Sequence, residues 1–462
     1  MAVEQNKTSR RIVIIGAGFA GVWSALSAKR LINLHNMEQN IDVLVIAPEP
    51  WLVMRPRLYE ANASRMNHPL GPLFKSAGID FFQGTAEAIY TNSQTVHVRS
   101  VSGDESDIEF DRLILAAGSA VVRPKSVTGL EQHAFDIDSL TSAGKLEFHL
   151  KSLKSLPQSK ARDTVVVCGG GFTGIELAAE FPKLLHNIDN VRIVLIESAQ
   201  DLGPDLGAGP RPTITKALKH LRIEVKLGSA VTAVDDSGVT LASGEHIKAT
   251  TVVWTAGMRA TPLTQQIRGT KDPLSRLHVD QYLRVPTCEQ VFATGDAAHA
   301  IADTKGHAAL MSCQHANVLG RVSGHNAAAD LLGEPMIAYS QPEYNCCLDL
   351  GSWGAMIAHG WDREVKITGH VAKQVKGYVN QKLIYPPQDA KEAIKAADPA
   401  CPDSDGLFKQ FLGVLGWTLS SWKDFQRASM PRYTAADIDN AIQDILYGET
   451  IRTSAKIHGI PT

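Results

Sequence analysis

One short pattern occurs twice in this chain, and it limits the fold more than any other feature. The first copy is Arg11-Ile-Val-Ile-Ile-Gly16-Ala-Gly18-Phe-Ala20-Gly21, and the second is Thr164-Val-Val-Val-Cys-Gly169-Gly-Gly171-Phe172-Thr173-Gly174. Each copy has a β-branched run, then glycines spaced GxGxxG, then a helix-forming stretch. A single GxGxxG is weak, because glycine-rich turns are common. Two copies in strand–turn–helix context point to two separate dinucleotide sites. In such a turn the first glycine permits the tight bend, the second lets backbone approach phosphate, and the third lets helix and strand pack closely. The pyrophosphate then meets free N–H groups and the positive end of the helix dipole.

The surrounding pattern predicts two βαβ units. In the first, Arg11–Gly16 is a buried strand, Phe19 to about Leu34 a helix and Ile41–Ala47 the next strand. In the second, Asp163–Cys168, Phe172 to about His186 and Val191–Glu197 repeat the order. A third landmark is Glu289-Gln-Val-Phe-Ala-Thr-Gly295-Asp296-Ala-Ala-His299, a short strand ending in Gly-Asp. A helical stretch from about Ala308 to Leu332 follows it. Beyond 335, Gln341–Trp361 reads as hairpin material, Lys366–Leu383 as a helix and Pro386–Asp405 as an exposed linker. Leu407–Arg427 and Ala435–Tyr447 read as two further helices. The expected fold class is α/β, with two Rossmann-like domains and a C-terminal α+β region. The first domain is discontinuous over 8–150 and 275–335, the second covers 151–274, and the C-terminal region covers 336–462.

Composition excludes several function classes. The 462 residues are 44% hydrophobic and 20% charged with net charge −2, so no basic excess suggests nucleic acid. No apolar run reaches the roughly 18–20 residues of a membrane span. The polar residues Met1–Arg10 lead directly into the first strand, with no secretory or transit pattern. None of the six cysteines forms a CxxC pair, so no metal set is expected, and a reducing cytoplasmic compartment fits.

Side chains at the strand ends separate the two sites. An acid at the end of the second strand accepts hydrogen bonds from the ribose diol and repels a 2′-phosphate. Glu197 fills that place in the second unit, which favours NADH over NADPH. In the first unit the position is Ala47, and Glu49, two residues on, is either the acid that reaches the ribose or a solvated loop acid.

The landmarks together resemble the two-dinucleotide flavoprotein reductases, and most closely type II NADH dehydrogenase (NADH:quinone oxidoreductase)-like proteins. The stretches that carry the resemblance are Arg55-Pro-Arg-Leu-Tyr-Glu60, Phe110 to Ala117-Gly118-Ser119, Gly171 to Glu176, Thr251 to Gly257 and Ala293 to Asp296. They cover about residues 8–330. The resemblance implies FAD on the first unit and on Gly295-Asp296, and NADH on the second. It implies hydride transfer from NADH to flavin and then to a small-molecule acceptor of quinone type. It places Glu176 near nicotinamide and flavin, Arg55 near the flavin, and the helix beginning near Ala308–Leu310 at the charge of the reduced flavin. Gln314 could bond an acceptor carbonyl. His299 reads more simply as a loop histidine, and Arg57 as a phosphate ligand or a solvated cation.

Some departures keep the acceptor open. The quinone branch usually carries an AQxAxQ-like segment, and here Ala309-Leu310-Met311-Ser312-Cys313-Gln314 keeps only its alanine and last glutamine. The stretch Gly369–Lys382 is polar where that branch is rich in Trp and Leu. No CxxxxC pair follows the first fingerprint, which argues against a thiol relay. Cys168 and the adjacent Cys346-Cys347 read as core or bystander thiols. The apolar side chains of Leu407–Phe425 fall within about 140° of a helical wheel. That face suits a peripheral membrane helix, or packing on the body of the protein or on a second copy in a homodimer. A biosynthetic flavoenzyme acting on an aromatic metabolite, a ferredoxin or rubredoxin reductase, and a redox-sensing NADH/FAD-binding protein are the competing readings.

Overall fold

The computed structural model describes residues 9–400. Its larger sheet has eight strands in the order 284–285, 288–293, 112–115, 10–15, 41–47, 80–90, 95–100, 105–109. The inner strands 288–293, 112–115, 10–15, 41–47 and the start of 80–90 run parallel. Ile12, Val13 and Ile14 are fully buried, as a strand covered on both faces requires. The chain therefore leaves this sheet after residue 115 and rejoins it at 284.

Between those points lies a four-stranded parallel sheet in the order Glu224–Lys226, Arg192–Ile196, Thr164–Cys168, Thr251–Trp254. Both fingerprint strands are central, with their βαβ partners in register beside them. The pair Ser119–Val121 and Met258–Ala260 links the two parts of the chain as an antiparallel ribbon. This architecture is the α/β, two-Rossmann plan expected from the sequence. The helices Phe19–Leu34 and Phe172–Leu184 follow the two glycine turns directly.

A third, antiparallel sheet of Asn345–Asp349, Ala355–His359 and Glu364–Gly369 precedes the helix His370–Tyr378. Cys346, Leu348, Met356 and Ala358 share one core with Ile175, Ala178 and Phe181 of the second fingerprint helix. That shared core brings residues near 350 and 376 up to Glu176.

Three boundaries differ from the sequence expectation. The helix expected from about Ala308 begins at Cys313, because Ser312 caps it by accepting from the His315 amide. Residues 366–369 complete a strand before the helix starts at His370. The expected linker includes a helix, Ala390–Ala396, capped by Asp389. Its Ala393 and the following Ala397 are buried in the core of the first sheet, and Arg30 pairs with Asp398. No described helix is long and apolar enough to cross a membrane. The stretches Leu407–Arg427 and Ala435–Tyr447 lie outside the described residues.

Candidate functional site

The two glycine turns have nearly the same geometry. Gly16 and Gly169 sit at φ +109° and +119°, a region that disfavours any side chain. A Cβ on Gly21 would stand 1.9 Å from the Gly16 carbonyl oxygen, and one on Gly174 would stand 1.8 Å from that of Gly169. These are helix–strand crossings that only glycine permits. By contrast, a Cβ on Gly18 or Gly171 would meet nothing within 4 Å. Both are helix N-caps with no side-chain hydrogen bond. Each helix thus opens with free N–H groups beside space lined by backbone, which fits a pyrophosphate. FAD and NADH both suit these cradles as far as the phosphates go.

The third landmark closes on the first cradle. A Cβ on Gly295 would stand 2.8 Å from Cβ of Ala20, so the Gly-Asp turn lies directly on the first helix. Asp296 Oδ2 accepts from Ser119 Oγ at 2.6 Å, and Arg55 Nη1 lies 3.6 Å away. Arg55 also pairs with Asp138. Ala117, and Gly118 at φ +70°, immediately precede Ser119, so Gly16, Gly18, Ala20, Gly21, Arg55, Ala117, Gly118, Gly295 and Asp296 converge on one end of the eight-stranded sheet. Arg57 is held by Glu60 and Tyr385. Ala47 is buried, whereas Glu49 is exposed and forms no hydrogen bond or ion pair among the described residues.

At the second cradle, Glu197 is buried and fixed. Its Oε2 accepts from the Gly170 amide and its Oε1 from the Ala199 amide, each at 2.8 Å. Oε1 also accepts from Ser198 Oγ at 3.1 Å, which leaves Oε2 with a lone pair for a ribose hydroxyl. Gly257, at φ +76°, follows the strand that abuts Gly169. Phe172 is half-buried and Thr173 exposed at the mouth of the turn.

Glu176, one turn into the same helix, has a quite different setting. It is 3% exposed, and Lys376 Nζ lies 2.9 Å from its Oε1. Lys376, 5% exposed, also donates to the Cys347 carbonyl at 2.9 Å and lies 5.6 Å from the Phe172 ring centroid. The Asp349 amide donates to Glu176 Oε1 at 2.9 Å. Burial outweighs the attraction of Lys376 and pushes the Glu176 carboxyl up to about 7. Despite burial, the carboxylates around Lys376 raise its affinity for a proton, so it stays charged. A carboxyl that titrates near neutrality inside a protein is suited to carrying a proton.

Gln314 is the second residue of the helix Cys313–Leu332 and is half-buried. His299 lies in a short strand with its ring tilted 34° against that of His278, the centroids 4.3 Å apart. Cys168 is buried in its strand, and burial raises its thiol to about 12. The stretch that sequence reasoning treated only as polar supplies Lys376, and the hairpin supplies Asp349. Lys376 did leave a trace. With Ala372 and Val375 it forms the buried stripe of its helix, an unusual place for a lysine.

The arrangement is that of a known family: residues 10–318 match the model of the pyridine nucleotide-disulphide oxidoreductases. The chain belongs to that family. Within it, the chain is 42% identical over 398 residues to an NADH dehydrogenase-like protein of Mycobacterium tuberculosis, covering 84% of this chain and 98% of that one. It is 22% identical over 399 residues to a type II NADH:quinone oxidoreductase of Staphylococcus saprophyticus, covering 81% and 95%. Among solved structures, NDH2 from Plasmodium falciparum in complex with NADH superposes with a TM-score of 0.68 at 16% identity, over 85% of this chain and 99% of that one. The resemblance read from the fingerprints is therefore borne out, and this oxidoreductase is a flavoprotein-type, NADH dehydrogenase-like member of the family.

Proposed function

We propose that this oxidoreductase binds FAD at the first cradle and NADH at the second, and passes reducing equivalents from NADH through the flavin to a quinone-type acceptor. The observation that carries the reading is the buried Glu176–Lys376 pair, set just behind the second cradle. Flavin, when bound, supplies the two-electron chemistry between nicotinamide and acceptor. The chain positions the reactants and handles the proton. The first cradle holds FAD through Gly16, Gly18, Gly21, Gly295 and Asp296. The segment 151–274 holds NADH through Gly169, Gly171, Gly174 and Glu197, whose charge disfavours a 2′-phosphate. Reducing a quinone to a quinol consumes protons as well as electrons, and Glu176 can hold one near neutral pH. Lys376 steadies the carboxylate once that proton has left. The quinone oxidoreductase named among the relatives supports the acceptor class.

Anaerobic stopped-flow absorbance tests the reading. NADH should bleach the flavin rapidly, and menadione should restore it within one turnover. Bleaching that menadione cannot reverse would sink the quinone assignment. In Glu176→Gln, bleaching should persist while recovery with menadione slows about 100-fold, the scale of a lost acid–base group. Recovery with ferricyanide, which takes electrons without protons, should stay near the wild-type rate.

A further inference from the structure

Glu176 and Lys376 are the inner half of a two-tier charge cluster. The outer half is Asp349, whose carboxylate is 7% exposed, and Lys373, 34% exposed, with Nζ 2.5 Å from Asp349 Oδ1. Both lysines come from the helix His370–Tyr378, one turn apart, so each carboxylate receives its own ammonium. Asp349 is held rigidly. Its Oδ1 also accepts from the Gly351 amide at 2.9 Å, its Oδ2 accepts from Tyr59 at 3.0 Å, and its own amide is bound to Glu176. Tyr59 in turn accepts from Asn380, which also bonds Glu60.

We propose that Asp349 and Lys373 form a positioning pair that sets the charge state of Glu176, with Asp349 favouring the protonated carboxyl and Lys373 limiting that effect. The proposal rests on the reading of Glu176 as a proton carrier. Its physical basis is Coulombic: a fixed negative charge near a buried carboxyl opposes a second one, and a cation paired with that charge partly cancels it. The Asp349 charge acts on Glu176 in the raising direction, while the Asp349 amide, which Asp349→Asn keeps, acts in the lowering one. The other groups that face Glu176 are largely silent. The Tyr59 phenol is held well above its usual value, chiefly by burial. Burial likewise pushes the Cys346 and Cys347 thiols up to about 11 and about 12. Glu60 is paired with Arg57 and Asn380. On Glu176's own helix, Glu180 is also raised by burial and is paired with Lys183. Within about pH 5 to 9, then, Tyr59 and both thiols stay neutral, and Lys376 stays charged.

The test is an infrared titration of the flavin-loaded protein with neither NADH nor acceptor present. The carbonyl band of protonated Glu176 is assigned by its loss in Glu176→Gln and separated from that of Glu180 with Glu180→Gln. In Asp349→Asn, which keeps the side-chain shape, the midpoint of the Glu176 band should fall by about one unit. In Lys373→Gln it should rise. Opposite displacements support the pair, because a merely structural role would not reverse sign between the two variants. Unmoved midpoints, or both moving the same way, overturn it. If the midpoints move as expected while menadione recovery ignores them, the pair stands and the proton-carrying role of Glu176 fails. If Asp349→Asn does not fold, Lys373→Gln decides alone, since its half-exposed side chain is bonded to Asp349, and its influence on Glu180 is separated by the Glu180→Gln background.

Discussion

The two cradles share a backbone and differ in their side chains. Their first glycines take nearly the same φ, their third glycines make the same close crossing, and their second glycines face open space. At the strand ends they part. Glu197 is buried and pinned by two amides, while the first unit ends in the buried Ala47 with Glu49 exposed nearby. The first cradle leans instead on a distant part of the chain, Asp296 with Ser119 and Arg55. The comparison teaches that the glycine turn is a generic phosphate holder. On the proposed assignment, what is held is chosen by neighbours, which are local in one copy and drawn from Arg55, Ser119 and Asp296 in the other.

The largest effects should come from the third glycines. Gly174→Ala forces a methyl group against the Gly169 oxygen, and Gly21→Ala does the same at Gly16. Overpacking of this kind costs about 1–3 kcal/mol, and here it falls on backbone that cannot rotate away. Gly174→Ala should abolish measurable NADH binding while the purified protein keeps its yellow flavin. Gly21→Ala should lose the flavin itself, with a lowered melting temperature. If the two variants lost the same cofactor, the division of labour between the cradles would be wrong.

The second glycines should give a smaller and cleaner result. Gly18→Ala and Gly171→Ala add a methyl where the protein has nothing within 4 Å, so melting temperatures without added NADH should hold for Gly171→Ala. Ligand affinity should nevertheless fall about 10-fold or more, because the methyl occupies the path by which phosphate reaches the backbone. Isothermal titration of NADH against Gly171→Ala, and of FAD against the stripped Gly18→Ala protein, reads this directly. Unchanged affinity in both would mean that the open space is not where phosphate sits.

How far the sequence carried these features follows from the distances over which they are fixed. The cradles were legible because glycine spacing states a local backbone constraint, and Glu197 was legible because a parallel strand places it. The Ala390–Ala396 helix was hidden by the Pro and Asp around it, although Asp389 and Glu392 form the first and last residues of a capping-box pattern. Apolar residues before Cys313 extend the helical pattern in the sequence, whereas the capping serine sets the actual start. Lys376, Asp349 and Tyr59 were not assigned to the site at all. Their meeting with Glu176 is a product of tertiary packing between the second fingerprint helix and the C-terminal sheet, and no local pattern encodes it.

The ribose end discriminates most sharply between the two cradles. Glu197→Ala removes a charged acceptor for the ribose diol, a loss of about 1.5–3 kcal/mol, or roughly 10- to 150-fold in NADH affinity. Flavin content should not change. It should also narrow the preference for NADH over NADPH, because the repulsion of a 2′-phosphate goes with the carboxylate. The matching change in the first unit, Glu49→Ala, should weaken FAD much less than Glu197→Ala weakens NADH, since an exposed acid not held by the protein must give up its freedom to bind a ribose. Should Glu49→Ala weaken FAD as strongly as Glu197→Ala weakens NADH, then Glu49 would be the ribose ligand of the first unit. The asymmetry between the cradles would then be one of flexibility before binding, not of chemistry.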